Sequence, residues 1–282
     1  MCETCGCGNK DGVRIHDPRS TRADDSEHVH EHEHKHDHDH DHDHGHEHNH
    51  THDHHHSHDH SHTKVIDLNL DILAGNNMIA AMNRRFFEGR RVLCLNMVSS
   101  PGSGKTTILE KTISHLAASA KLFVVEGDQQ TTLDADRIEK AGAAAIQINT
   151  GSGCHLDAQM VESALKKLDP ETNSFLFIEN VGNLVCPAMF DLGEFKRVLV
   201  ISVTEGEDKP LKYPLMFETS HLCIINKADL LPYVDFNAGE FMKNASHINP
   251  RLEFMTLSAR TGEGMNLWHD WILNQAQLFL SH

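Results

Sequence analysis

At residues 92–118 a glycine-rich loop joins an apolar run to a segment with a helical pattern. This arrangement limits the folds that the chain can adopt. The run 92–98 reads Val-Leu-Cys-Leu-Asn-Met-Val and is predicted to be a buried strand, after which 99–107 reads Ser-Ser-Pro-Gly-Ser-Gly-Lys-Thr-Thr. Glycines in such a loop let backbone N–H groups surround phosphate oxygens at the N-terminus of the next helix. The order of strand, loop and helix therefore predicts a phosphate-binding loop in an α/β sheet.

The predicted phosphate ligands come from this loop and from the first turn of the helix: Gly102, Ser103, Gly104, Lys105, Thr106 and Thr107. Lys105 is expected to neutralise the β and γ phosphates of a nucleotide, and the Thr106 hydroxyl to ligate Mg²⁺. The loop departs from G-x-x-x-x-G-K-[ST] at its first position, where Ser99 replaces glycine. An ordinary glycine-rich turn is the alternative, but the flanking strand and helix favour phosphate binding.

Apolar, β-rich runs alternate with helical patterns along the rest of the chain. Strands are predicted at 91–98, 121–126, 144–149, 174–179, 197–204, 221–226 and 253–258, and helices at 68–88, 105–118, 133–142, 156–168, 237–247 and 265–279. Near-continuous apolar strands separated by helices indicate a parallel sheet covered on both faces. The predicted fold class is therefore α/β, a mostly parallel sheet flanked by helices and preceded by a disordered N-terminal metal-binding segment.

A second loop predicts the base of the nucleotide. Asn226, Lys227 and Asp229 stand at the end of an apolar strand. The Asp229 carboxylate can accept hydrogen bonds from the N1–H and N2–H₂ donors of guanine, and the Lys227 stem can pack on the ring. Ser258 and Ala259 follow the next strand and resemble a guanine-contacting element of GTPases. GTP, with GDP as its product, is therefore favoured over ATP.

Carboxylates end two further strands at the edge where the phosphate-binding loop is expected. Ligands bind at the carboxyl ends of the strands in open α/β sheets, and a carboxylate there can reach Mg²⁺ directly or through water. Lys105, Asp128 and Glu179 are therefore the candidate catalytic residues, with Asp128 either coordinating magnesium or orienting the attacking water. Glu126 is interpreted instead as a polar residue that closes its strand.

Residues 24–63 alternate histidine with Asp or Glu, and we call them the His-rich tract. Between 24 and 62 lie 19 of the 26 histidines, 12 acids, one base and one apolar residue. So little apolar surface cannot offset the entropy of ordering, and disorder is predicted. Imidazole and carboxylate donors suit Ni²⁺, Zn²⁺, Cu²⁺ and Co²⁺, which indicates metal storage that weakens as imidazole is protonated below about pH 6.5.

The composition divides the chain into three regions. They are a cysteine-rich head at 1–23, the His-rich tract at 24–63 and a GTPase domain at 64–282. The tract carries most of the net charge of −16, and 64–282 is acidic as well, which argues against nucleic-acid binding. No apolar run reaches the roughly 18 to 20 residues of a membrane helix, and the N-terminus lacks a signal-peptide pattern. We expect a cytoplasmic protein with no membrane or nucleic-acid partner.

Cysteines of a cytoplasmic chain stay reduced, so clustered ones are better interpreted as metal ligands than as disulfides. Cys2, Cys5 and Cys7 lie within six residues and form a candidate metal site. The fourth donor stays open, since the α-amine or a histidine of the tract would serve, and such a cluster does not discriminate nickel from zinc. Cys94 and Cys223 lie inside apolar runs and are expected to be core residues.

A second candidate nickel or zinc site combines Cys154, His155 and Cys186. The first two follow a strand, and Cys186 lies seven residues after Glu179, so all three are expected at the same edge of the sheet. Three ligands do not complete a closed site, which indicates a second subunit, a water ligand or a transient site. Buried thiols beside a helix-capping imidazole are the alternative.

Several separated segments give the chain a family resemblance: 99–106, 126–131, 149–151, 153–158, 178–187, 205–210 and 226–229. Through them the chain resembles the hydrogenase nickel-incorporation GTPases, the HypB family of the nucleotide-dimerising (SIMIBI) branch of P-loop GTPases. The head, Cys2-x-x-Cys5-Gly6-Cys7, also looks like the family's tight nickel motif.

The resemblance implies insertion of nickel into the large subunit of [NiFe] hydrogenase. It implies a GTP-dependent homodimer, with Cys154, His155 and Cys186 of each subunit meeting at the interface. It also implies two partners, a HypA-type nickel- and zinc-binding accessory protein and the precursor of the hydrogenase large subunit. Slow GTP turnover is expected, since the sequence offers no obvious arginine finger.

Carried over by position, the resemblance implies that Lys105 and Thr106 hold phosphate and Mg²⁺, that Asp128 belongs to the first switch and that Asp229 recognises guanine. Two alternatives stay open. One is a urease-type nickel accessory GTPase, whose metal motif reads Cys-Pro-His, an order that this chain lacks. The other is a nickel storage protein without GTP-driven delivery.

Overall fold

The computed structural model describes residues 14–17, 61–128, 133–151 and 153–281 of the 282-residue chain. Cys2, Cys5 and Cys7 of the head lie outside the described residues, as does the His-rich tract up to residue 60. The metal-binding role of the head and the disorder of the tract therefore stay predictions.

One sheet organises the part of the chain that the structure describes. Its strands are β1 (Arg14–His16), β2 (Leu93–Ser99), β3 (Leu122–Asp128), β4 (Ala144–Asn149), β5 (Phe175–Glu179), β6 (Lys196–Ser202), β7 (Leu222–Asn226) and β8 (Glu253–Thr256). They lie in the order β1-β4-β3-β5-β2-β6-β7-β8. Strand β1 is antiparallel to β4, and every other neighbouring pair is parallel. The carboxyl ends of β2 to β8 consequently share one edge.

Helices flank this sheet and follow its strands along the chain. Within the same ranges they are α1 (Ser61–Arg90), α2 (Lys105–Leu116), α3 (Leu133–Ala141), α4 (Ala158–Leu168), α5 (Cys186–Met189), α6 (Lys209–Lys212), α7 (Pro214–Thr219), α8 (Ala238–Ile248) and α9 (Met265–Leu280), with a 3₁₀ helix at Ala228–Tyr233. The predicted α/β class with a mostly parallel sheet is confirmed. Each predicted strand and helix is present, with small shifts at most ends.

The hydrophobic core lies on both faces of the sheet because successive residues of a strand point to opposite sides. Leu95 of β2 packs in a cluster with Ile108 of α2 and Trp268 of α9. Its neighbour Cys94 packs in another cluster with Leu165 of α4. Parallel strands covered in this way are buried on both faces, which explains their unbroken apolar sequences.

The expectation that Cys94 and Cys223 are core residues is confirmed, since both side chains are fully buried. Burial raises the pKa of the Cys94 thiol and of the Cys223 thiol well above the ordinary value. Both therefore stay protonated and act as small apolar residues.

Several short elements carry no signal in the sequence pattern. Strand β1, helices α5 to α7 and the 3₁₀ helix each span six residues or fewer, too few for a helical or strand period to emerge. Strand β1 belongs to the cysteine-rich head and places Ile15 opposite Ile148 of β4. Helix α1 begins at Ser61, inside the predicted tract and seven residues before the predicted start of this helix. Among the described residues, none of the helices has the length and apolar character that crossing a membrane requires.

Candidate functional site

The loop after β2 has the backbone that a phosphate cradle needs. Gly102 and Gly104 have φ angles of +72° and +100°, in the left-handed region that favours glycine. A Cβ atom at Gly104 would lie 2.5 Å from the side-chain nitrogen of Asn226. Glycine at 104 is thus required both by the backbone angle and by the approach of the base-recognition loop.

The Lys105 side chain is nearly buried at the bottom of this loop, and its Nζ donates a 2.6 Å hydrogen bond to the Ser99 hydroxyl. This contact gives the departure from the loop consensus a structural role, since Ser99 orients the lysine. The hydroxyls of Ser100 and Ser103 are buried and make no hydrogen bond within the described residues. Buried polar groups need partners, and the oxygens of a bound phosphate would supply them.

The Glu179 carboxylate stands beside the first turn of α2, where it accepts a 2.7 Å hydrogen bond from the Thr106 hydroxyl. Glu126 is the register partner of Glu179 on the neighbouring strand β3, and both residues are buried. Oxygen donors of this kind are the ligands that Mg²⁺ prefers. From the sequence, Glu126 is interpreted as a residue that closes its strand, and its pairing with Glu179 is visible only in the fold, where β3 lies next to β5.

Asp128 ends β3 at the same edge, and strand β5 separates it from β2. Its carbonyl oxygen accepts a 2.9 Å hydrogen bond from the Thr150 N–H, which ties the end of β3 to the loop after β4. Residues 129–132, which follow Asp128, lie outside the described residues. Its role with magnesium or water therefore stays a prediction. Thr107 lies in the first turn of α2 and is half-buried.

The base-recognition residues are held against the phosphate loop. The Asn226 side chain donates to the Ser103 carbonyl oxygen at 2.8 Å and accepts from the Ala259 N–H at 3.1 Å. The Ser258 hydroxyl donates to a carboxylate oxygen of Asp229 at 2.6 Å, which fixes the orientation of that carboxylate. In addition, the Lys227 ammonium group donates to the carbonyl oxygen of Gly102 at 2.8 Å. The structure therefore brings both predicted guanine elements to the same place.

The three soft ligands predicted at the sheet edge converge. Sγ of Cys154 and Sγ of Cys186 lie 2.8 Å apart, and Sγ of Cys154 lies 3.7 Å from Nδ1 of His155. All three ligand atoms fall within 4.8 Å of one another, the only group of three or more His, Cys, Asp or Glu residues placed this way in the described ranges. Thiolates and imidazole at this spacing suit a nickel or zinc ion.

Burial shifts the pKa values of two of these ligands, Cys154 and His155, in opposite directions. Burial and the adjacent Cys186 thiol raise the pKa of Cys154 to about 11, so a metal ion at this site must displace a proton. Burial lowers the pKa of His155, with a small opposing effect from Asp157. The imidazole is therefore neutral and ready to donate a lone pair at neutral pH. It stacks on Phe190, with 4.0 Å between ring centroids.

One loop reaches both the nucleotide residues and the metal ligands. It starts at Glu179, which contacts Thr106, and continues to Gly182, where a Cβ atom would lie 3.0 Å from Cα of Pro101 in the phosphate loop. It ends at Cys186, the first residue of α5. The nucleotide residues and the metal ligands are thus mechanically connected.

The fold and these side chains define a P-loop GTPase. The family described as "CobW/HypB/UreG, nucleotide-binding domain" matches residues 93–256. The hydrogenase maturation factor HypB of Rhizobium leguminosarum bv. viciae is 60% identical over 209 residues, which make up 74% of this chain and 70% of that protein. The chain belongs to the CobW/HypB/UreG family and, within it, to the HypB hydrogenase maturation factors.

Two solved structures show the same fold. The hydrogenase maturation factor HypB of Archaeoglobus fulgidus has a TM-score of 0.67 at 37% identity, covering 72% of this chain and 99% of that one. HypB of Helicobacter pylori, solved in complex with nickel, has a TM-score of 0.67 at 38% identity, covering 72% of this chain and 95% of that one. The resemblance inferred from the sequence is confirmed.

Proposed function

We propose that this chain is a nickel-binding GTPase that uses GTP hydrolysis to insert nickel into [NiFe] hydrogenase during maturation. The observation that carries the proposal is the loop from Glu179 to Cys186. One end of the loop contacts Thr106, and the other supplies a thiol that lies 2.8 Å from Cys154. A change at the γ-phosphate therefore has a short path to the metal ligands. Relatives in the same family are hydrogenase maturation factors, which favours this interpretation over the urease-type alternative.

For hydrolysis, the residues of the chain bind and orient the substrate. Lys105, held by the Ser99 hydroxyl, places a positive charge beside the β and γ phosphates. Thr106 and the Glu179 carboxylate would hold magnesium, and the ion would supply positive charge to the phosphate oxygens. Asp128 would either help to coordinate magnesium or orient the attacking water. Without an identified arginine finger, turnover is expected to be slow.

Nickel is the cargo in this scheme and is bound by Cys154, His155 and Cys186. Three ligands leave the coordination of a four-coordinate ion incomplete. A second copy of the chain would complete it, so we infer a GTP-dependent homodimer in which the two ligand sets meet. Zinc would fit the same donors, since thiolate and imidazole bind both ions. Hydrolysis would relax the loop and release the cargo.

The N-terminal regions would supply nickel to this site. The thiols of Cys2, Cys5 and Cys7 offer a tight nickel site, and the His-rich tract offers many weaker ones. The recipient would be the large-subunit precursor of the hydrogenase, with a HypA-type accessory protein as a further partner. These roles rest on ligand chemistry and on the family, and they extend the GTPase function to storage.

The decisive experiment measures nickel affinity at the three-ligand site with GDP and with a non-hydrolysable GTP analogue. The full chain is compared with a Cys154→Ser/Cys186→Ser variant, which identifies the ions bound at this site. We expect the two nucleotides to give different affinities in the native chain only. Equal nickel affinities with GDP and with the GTP analogue would show that nucleotide binding and nickel binding are not coupled. A Lys105→Ala variant that still matures hydrogenase in nickel-limited cells would favour storage without GTP-driven delivery.

A further inference from the structure

We infer that Asn180 and Asn183 are positioning residues whose side-chain amides fasten the Cys154–His155 segment to the loop that carries Cys186. The inference rests on the proposed function, because it assigns these amides to the metal ligand set. Neither asparagine belongs to the ligand set of Cys154, His155 and Cys186. Both lie in the connecting loop, between Glu179 and Cys186.

Asn183 joins the two thiols most directly. Its amide nitrogen donates to the carbonyl oxygen of Cys154 at 3.3 Å, and its amide oxygen accepts from the N–H of Val185 at 2.8 Å. Val185 directly precedes Cys186. One side chain therefore holds the backbone of the first thiol ligand and the backbone next to the second, so it sets the distance between them.

Asn180 fastens the same segment on the other side of the histidine. Its amide oxygen accepts from the N–H of Leu156 at 3.1 Å and from the N–H of Val181 at 3.0 Å. The side chain is 2% exposed, so these hydrogen bonds do not compete with water. His155 is consequently placed between two fixed backbone groups, the carbonyl of Cys154 and the N–H of Leu156.

Packing of Leu156 keeps this segment from sliding along the loop. The Leu156 side chain is fully buried and lies over Gly127, where a Cβ atom would come within 2.8 Å of the leucine Cγ. Hydrogen bonds from the asparagines and apolar packing of the leucine thus hold adjacent residues in place. Residues that orient metal ligands in this way typically change metal affinity about 10- to 100-fold when they are replaced.

The chemistry of the side chain distinguishes fastening from simple packing. Asparagine has both a donor and an acceptor, and Asn183 uses both. Aspartate has the same shape and keeps the acceptor for Val185, but it cannot donate to Cys154. Asn183→Asp should therefore separate the thiols as Asn183→Ala does, although it leaves no cavity.

The spacing of the thiols can be measured without metal. Dibromobimane bridges two nearby thiols as each thiolate displaces one bromide, and peptide mapping of the full-length chain identifies the bridge between Cys154 and Cys186. We expect Asn183→Ala and Asn183→Asp to lower the yield of this bridge severalfold. The nickel-thiolate charge-transfer absorption should shift, and nickel affinity at this site should fall about 10-fold. GDP affinity should stay at the native value.

Asn249→Ala is the matched control. Asn249 also ties a loop through its amide, donating to the carbonyl oxygens of Phe217, Glu218 and Ser220, but none of these hydrogen bonds involves the backbone of the two segments that carry the metal ligands. Its replacement should leave the bridge yield and the nickel spectrum unchanged. If the Asn183 variants match the native chain in bridge yield and spectrum, the inference is wrong. If they lower the bridge yield while the native chain binds no nickel at this site, the positioning stands and the proposed function fails.

Asn180 provides an independent test, although its burial makes folding sensitive to replacement. Asn180→Asp keeps the acceptor that Leu156 and Val181 use, so it should preserve more of the bridge yield than Asn180→Ala. The thermal midpoint of unfolding is recorded for each variant beside its bridge yield. If the bridge yield falls in proportion to the thermal midpoint in the Asn180 variants and in Asn249→Ala alike, a specific positioning role is contradicted.

Discussion

The side chains of Thr106 and Glu179 are joined by a 2.7 Å hydrogen bond from the threonine hydroxyl to a carboxylate oxygen. Thr106 belongs to the first turn of α2 and Glu179 ends β5, so the bond links the phosphate loop to the loop that carries Cys186. The packing of Gly182 on Pro101 adds a second link. Anything that repositions Thr106 must therefore disturb the start of the metal-ligand loop.

Replacing Glu179 by Gln should slow GTP hydrolysis about 100-fold, because one preorganised electrostatic group commonly contributes this much. The amide can still accept from Thr106 but no longer provides the charge proposed to hold Mg²⁺. GDP affinity should change little. Single-turnover phosphate release at saturating GTP and Mg²⁺ gives the rate. Glu162→Gln, which alters an acid paired with Lys166 on α4, should hydrolyse at the native rate. If Glu179→Gln hydrolyses GTP at the native rate, the charge of the Glu179 carboxylate is not needed for hydrolysis.

Replacing Gly104 by Ala should weaken GDP binding by at least about 10-fold, because positive-φ strain alone costs about 1–3 kcal/mol. The new methyl group would also lie 2.5 Å from the Asn226 side chain, which holds the Ser103 carbonyl. Calorimetric titration with GDP measures the change. Gly142→Ala introduces similar strain, at a φ of +113°, beyond the end of α3. If both variants lose affinity equally, general destabilisation and not the phosphate loop is responsible.

Replacing Asp229 by Asn should change the preferred base. Each hydrogen bond to a charged group contributes about 1.5–3 kcal/mol, so losing the carboxylate should lower GTP affinity about 100-fold. Xanthosine triphosphate carries a carbonyl where guanine carries its exocyclic amine, and the new amide can donate to it. Competition between the two nucleotides measures the switch. Asp235→Asn, an exposed acid in the same region, should keep the native preference for GTP. If Asp229→Asn keeps both the native GTP affinity and the native preference for GTP over xanthosine triphosphate, this residue does not recognise the base.

The parts of the fold with long, consistent signals were predictable from the sequence. Strand β2, the phosphate loop and α2 follow from an apolar run, two glycines that adopt positive φ and an amphipathic pattern, all of which agree. Helix α5 was not predictable. It has four residues, Cys186–Met189, and a helix this short depends on tertiary contacts more than on its own propensity.

At the site, the sequence indicated which residues carry the chemistry but not what joins them. The partner of Asn180, Leu156, is 24 residues away, and the partner of Asn183, Cys154, is 29 residues away. Local periodicity contains no information about such pairs. The position of Glu126 beside Glu179 depends in the same way on strand order, which brings β3 next to β5.

Deleting residues 24–60 should remove most of the nickel that the chain binds at neutral pH. The deletion ends before Ser61 so that α1 keeps its first residue. In the full chain, bound nickel should fall as the pH drops below about 6.5, because protonated imidazole cannot bind a metal ion. Equilibrium dialysis with metal analysis gives the number of ions. GDP affinity should be the same with and without the tract. A nickel count that survives the deletion would contradict storage by the His-rich tract.

A buried ion pair beside helix α5 should make stability depend on pH. Glu194 accepts from Arg197 at 2.9 and 3.0 Å and from Asn96 at 3.0 Å, and Arg197 also donates to the carbonyl oxygens of Ala188 and Phe190. Burial raises the pKa of the Glu194 carboxyl, but the Arg197 charge and the hydrogen-bond donors outweigh burial, so its pKa lies below the ordinary value.

A carboxyl whose pKa is lower in the folded state binds fewer protons there than in the unfolded state. Its contribution to stability is therefore complete above the unfolded pKa of about 4.3 and is lost as the pH falls through the lower, folded value.

Glu194→Gln should remove this part of the pH dependence. It should also lower the free energy of unfolding at neutral pH by about 3–5 kcal/mol, since Arg197 is left buried without its partner. Urea unfolding across acidic and neutral pH measures both effects. Glu162→Gln should change stability by less than about 1 kcal/mol. If the free energy of unfolding of Glu194→Gln falls at acidic pH as it does in the native chain, other carboxyls account for the loss of stability.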